Sequence, residues 1–131
     1  MISNSIMHKD SGLRQLRPKL ALPTHHATPE EQFQNNSLRP ILKLQHDLLL
    51  VLFEHYIQKR KNTYATLSIE QKKAWIDTTL KTDQKFRNLM AGTIIGHFTA
   101  DELRFYVQNE AEVTRRLCNL LIQRLQSTEQ H

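Results

Sequence analysis

One cysteine, three glycines and four prolines are all that this 131-residue chain holds of the residues that cross-link or punctuate a backbone. A lone Cys118 excludes an intramolecular disulfide, and the start, MISNSIMHKD, has no apolar stretch of signal-peptide length, so a reduced, cytoplasmic protein is expected. The longest apolar run, Leu48 to Phe53, has six residues. A bilayer span needs roughly 20, so no membrane partner is expected. Pro18, Pro23 and Pro29 all precede residue 30, which leaves the remaining chain nearly free of breakers and favours long helices over many short strands. Gly12, Gly92 and Gly96 are the only glycines and do not form a phosphate-cradling loop. Nor is there a Ser-His-Asp or Cys-His arrangement with supporting context, so no cofactor is implied.

What is present suits one globular domain: 39% hydrophobic and 24% charged residues lie well above the composition that leaves a chain disordered. The net charge of +5 is unevenly spread. Residues 1–28 carry Lys9, Arg14, Arg17 and Lys19 against Asp10, or +3, whereas 29–131 carry 14 basic against 12 acidic groups, or +2. Residues 1–28 also lack sustained periodicity and read as an extended or flexible basic arm, followed by a helical bundle domain over 29–131.

Capping signals divide that domain. Thr28-Pro29-Glu30-Glu31 opens a first short turn, and Pro40 either kinks it or begins a new helix capped by Ser37. Helix one is predicted over 38–62, with Ile41, Leu44, Leu48, Leu52 and Tyr56 on its inward stripe. Ser68-Ile69-Glu70-Gln71 opens helix two, over 69–95, with Ile69, Ile76, Leu80, Phe86, Met90 and Ile94 inward and Gly96 as a left-handed end. Its weak point is Lys81 to Lys85, where a break recapped by Thr82 or Asp83 is the alternative. Thr99-Ala100-Asp101-Glu102 opens helix three, over 100–126, with Leu103, Val107, Thr114, Leu117, Cys118, Leu121 and Leu125 inward. The expected fold is all-α, a three-helix up-down-up antiparallel bundle of long helices with an extended N-terminal arm.

Two features carry the functional reading. Six consecutive apolar residues sweep roughly 500° of a helix, more than a lone bundle requires. A surplus face with Leu49, Leu50, Phe53 and Ile57 is therefore expected to be covered by a second copy, by another protein, or by the arm. The second feature is a set of polar residues on apolar stripes: Gln45, Asp83, Arg87 and Glu110. They fall at one level of the expected bundle, as a buried, register-fixing polar layer or the lining of a pocket.

Metal chemistry has little support from spacing. The seven histidines include no His-x-x-x-His or Glu-x-x-His pair on a predicted helix. The His46-Asp47 dipeptide is similar to the central pair of metal-dependent phosphohydrolases that use a His…His-Asp…Asp set, and His26 and Asp101 would complete it. The resulting expectation is a non-enzymatic helical interaction or regulatory protein, self-associating as a homodimer through helix one. The alternative is an accessory nucleic-acid binder using the basic arm, and a small metal-dependent hydrolase stands third.

Overall fold

Residues 3–20, 27–60 and 64–129 are described by the computed structural model, and every regular element among them is helical. The chain runs through α1 (Asn4–Leu16), α2 (Pro29–Phe33), a π turn (Gln34–Leu38), α3 (Arg39–Leu44), α4 (His46–Lys59), a 3-10 turn (Tyr64–Thr66), α5 (Ile69–Thr82), α6 (Gln84–Ile95), α7 (Ala100–Gln108) and α8 (Glu110–Thr128). Because α2, the π turn and α3 follow one another without leaving helical backbone angles, the described residues hold seven helical segments. The π turn sits where Pro40 has no N–H and its ring crowds the carbonyl one turn back; Arg39 N–H donates instead to Gln34 O, five residues earlier.

The expected three-helix bundle is corrected at three polar residues. Helix one breaks at Gln45 (φ −92°, ψ 9°), whose side-chain Nε2 donates to Thr93 O on α6 at 3.2 Å. Helix two breaks at Asp83 (φ −89°, ψ 89°), whose Oδ1 accepts from Phe86 N–H at 3.0 Å and caps α6. Helix three breaks at Asn109 (φ −132°, ψ 34°), whose Nδ2 donates to Phe105 O at 2.9 Å. In each case a short polar or amide side chain offers the backbone a partner outside the helical ladder, and tertiary packing takes up the resulting bend. The capping boxes at Ser68–Gln71 and Thr99–Glu102 form as read, and Thr28 caps α2. Gly96, expected left-handed, has φ −62°; a Cβ there would meet Gly92 O at 3.2 Å, so close approach rather than handedness suits glycine.

The extended arm is also corrected. Its residues 4–16 form α1, capped by Ser3, and Arg17 just beyond it docks on α7. At that joint Arg17 donates to both Glu102 oxygens, at 2.7 and 2.8 Å, and to His97 O at 2.7 Å. The Asp10 carboxylate accepts from Ala100 N–H, the first amide of α7, at 3.3 Å. Residues 21–26, the remainder of that arm, lie outside the described residues.

α8 is the spine of the core: Val113, Leu117, Leu121 and Leu125 are buried along one stripe that meets α5, α6, α7 and the π turn. Around it close Leu38 and Ile41, Leu49 and Phe53, Ile76 and Leu80, and Met90 and Ile94. At about 1.5–3 kcal/mol for each fully buried large side chain, this stripe is the main source of stability. The helix breaks also reset phase. Ile69, Leu103 and Val107, expected inward, are exposed, whereas the stripes past the breaks in α6 and α8 point inward as read.

Candidate functional site

The break at Gln45 reverses the reading of helix one. Leu49 (0% exposed) and Phe53 (3%) belong to the chain's own core, and Leu50 and Ile57 pack against it partly buried. Leu48 (46% exposed) and Val51 (62%), with half-buried Leu52, face outward instead. The residues singled out as the surplus face are thus inside, and part of the stripe expected inside is what α4 presents to solvent.

That outward stripe borders a groove of about 670 Å³ between α4 and α6. Tyr56 and Phe86 form its floor, their rings 4.0 Å apart, and Leu52 and Leu89 form its apolar walls, Leu89 being 54% exposed. An aromatic cluster with Phe53, Tyr64 and Trp75 supports the floor from beneath. At one end Asp83 Oδ2 accepts from Tyr56 Oη and from Arg60 Nη2, the latter at 2.9 Å, while the Arg60 guanidinium lies 3.4 Å from the Tyr56 ring centroid. Burial, then the hydrogen bond to Asp83, pushes the Tyr56 phenol up to about 12. The Asp83 carboxyl is held below its usual range by the Tyr56 hydroxyl and the Phe86 amide. Tyr56 is therefore a fixed donor at neutral pH, not a base. Lys59 and Lys85 complete the rim, so three full cations, Arg60 included, meet one carboxylate.

The four residues expected in one buried layer are brought into separate roles. Gln45 and Asp83 are the break points themselves. Arg87 Nη1 donates to Leu80 O at 3.2 Å and Lys81 O at 3.1 Å, closing the end of α5. Glu110 is exposed at the start of α8, so neither it nor Asp83 forms the expected buried bridge with Arg87. Cys118 is half-buried against Leu80 O, and burial pushes its thiol up, as suits a small packing thiol.

The hydrolase set does not assemble among the described residues. His46 Nδ1 accepts from Arg124, Asp101 pairs with Arg104, His26 lies outside the described residues, and no group of three or more potential ligands is found. No described helix is long and apolar enough to cross a membrane. No protein-family model, curated protein or solved structure gives a significant match to the chain.

The groove was missed in the sequence because its residues, Leu48, Val51, Leu52 and Leu89, share no motif. The signal available was the apolar run itself, which revealed surplus but not phase.

Proposed function

We propose that the chain is a non-catalytic helical interaction protein that takes an acidic amphipathic helix of a partner protein into the α4–α6 groove. The observation that carries this reading is the exposed apolar stripe of Leu48, Val51 and Leu89 beside an aromatic floor with a cationic rim. An apolar floor rewards Leu-type anchors at helical spacing, and Lys59 and Lys85 reward carboxylates on the flanks. The same rim disfavours self-association: a two-fold pair would set each cationic rim against a like one.

The test combines two measurements. Analytical ultracentrifugation at micromolar concentration is expected to find the 15.4 kDa monomer; a dimer abolished by Val51→Glu with Leu89→Glu makes the occupant a second copy and overturns the heterologous reading. Fluorescence anisotropy is then expected to show that a Leu-spaced, Glu-flanked helical peptide binds the wild type at least about tenfold tighter than its Lys-flanked counterpart, and the double Glu variant not at all. Equal binding of both peptides would reject the groove as a charge-selective site.

A further inference from the structure

A second cleft, of about 310 Å³, opens between α3 and α8. Arg39 and Lys43 stand one helical turn apart on α3, and Arg124 of α8 joins them, over a base that includes Leu42 and Leu120. These three cations have no acid among them. No carboxylate of the described residues lies within 4.0 Å of any of the three, whereas the partly buried Arg17 and Arg116 each hold one at 2.7 and 2.8 Å. Arg39 Nε donates to Asn35 Oδ1 at 3.2 Å and Arg124 Nη1 to His46 Nδ1 at 3.1 Å, so both guanidiniums are oriented by neutral acceptors with further donors left over.

Gathering like charges beside a half-buried guanidinium is unfavourable unless something offsets it. Burial first, and then the charge of Arg39, lower the pKa of Arg124. An anion in the cleft removes both the repulsion and the desolvation penalty. A tetrahedral dianion matches the set better than a carboxylate, because two guanidinium forks and an ammonium supply more donors and charge than one carboxylate accepts.

We propose that the cleft between α3 and α8 is a binding site for a small phosphate-bearing ligand, held by Arg39, Lys43 and Arg124. The site is independent of the α4–α6 groove, and loss of either leaves the other standing. A neighbouring cleft carries Arg14 and Lys19 and shares Leu20 with this one, which makes a longer polyanion the competing occupant.

Isothermal titration with sodium pyrophosphate, at ionic strength matched with sodium chloride, tests the assignment. One saturable site is expected, with the Arg39 and Arg124 Nε–H resonances shifting along the same titration curve. Lys43→Gln is expected to weaken binding about tenfold, the loss of one charge-assisted hydrogen bond. Lys43 is exposed on α3, so this variant keeps the fold and its circular dichroism matches wild type. Arg39→Gln combined with Lys43→Gln abolishes binding. No saturation at matched ionic strength, or unchanged affinity in Lys43→Gln, overturns the proposal. So does a single-stranded oligonucleotide that binds and is not displaced by pyrophosphate, which would make the cations part of a nucleic-acid track. Competition by glycerol phosphate as effective as by pyrophosphate supports the phosphate group itself as the recognised chemistry.

Discussion

The joint between α1 and α7 and the stripe along α8 hold together by opposite means. Neither α1 nor α7 contributes a fully buried side chain, and their contact is made by Arg17, Glu102 and Asp10 with backbone groups. α8 buries six side chains, all aliphatic, and its charged residues stay outside the core. A polar joint is directional but weak in net terms, because hydrogen bonds and charges exchange one set of partners for another. An apolar stripe gains from every square ångström removed from water. The N-terminal helix is therefore clipped on to a body whose stability comes from elsewhere.

The strongest way to test that contrast is Leu121→Ala, which empties a fully buried position at the centre of α8. A global loss of about 2–5 kcal/mol is expected by denaturant titration, since Leu-to-Ala changes leave a cavity that the surroundings only partly fill. Protection of core amides should fall together with that of α1.

Arg17→Ala is expected to act differently. Its ion pair with Glu102 is nearly enclosed, the two side chains being 8% and 11% exposed, and stranding a carboxylate in place would cost about 3–5 kcal/mol. Because α1 buries nothing else, its release admits water to Glu102, and the loss should stop near about 1.5–3 kcal/mol. Hydrogen exchange should show α1 amides deprotected while α8 stays protected. The pH dependence supplies the sign. Burial pushes the Glu102 carboxyl up, but hydrogen bonds from Arg17, Ser37 and the Thr99 amide outweigh it and hold the pKa at about 2, against a usual 4.5. The pair's contribution is thus complete above pH 4.5 and lost as pH falls through about 2. The stability difference between wild type and Arg17→Ala should shrink over that window; a difference independent of pH would mean that the pair is not what holds the joint.

Helix type and starts were legible in the sequence because capping boxes are local: Ser68 and Gln71, or Thr99 and Glu102, lie three residues apart and report their own geometry. The middle of each long helix was not. Gln45, Asp83 and Asn109 are unremarkable in composition, and what bends the chain at Gln45 is a carbonyl 48 residues away on α6. One break was signalled: the polar run Lys81 to Lys85, with Asp83 as the recapping residue. Once a break shifts the helical phase, every inside-outside assignment on one side of it shifts too, which is how Leu49 and Phe53 moved from expected interface to core. α1 was hidden for a related reason, since a helix held by Arg17 and Asp10 needs no apolar stripe to announce it.

The smallest effect expected is at Asp83, where the two modes of cohesion meet. Its carboxylate caps α6 through the Phe86 amide and also receives the Tyr56 hydroxyl and Arg60. Loss of an N-cap costs typically about 1 kcal/mol. The Arg60 pair, with side chains 43% and 24% exposed, adds between about 0 and 1 kcal/mol after solvent screening. Asp83→Ala should therefore lower stability by about 1–2 kcal/mol, and Asp83→Asn, which keeps an acceptor for the cap, by less than about 1 kcal/mol. Helical ellipticity should stay unchanged in both. Leu80 before the break and Phe86 after it are each buried in their present phase, and Arg87 closes the end of α5 from the far side. Fusing α5 and α6 into one straight helix would rotate one of those apolar faces out of the core, at a cost larger than the cap restores. A gain in ellipticity with retained stability in Asp83→Ala would show instead that a single cap, and not the packing of Leu80 and Phe86, keeps this helix broken.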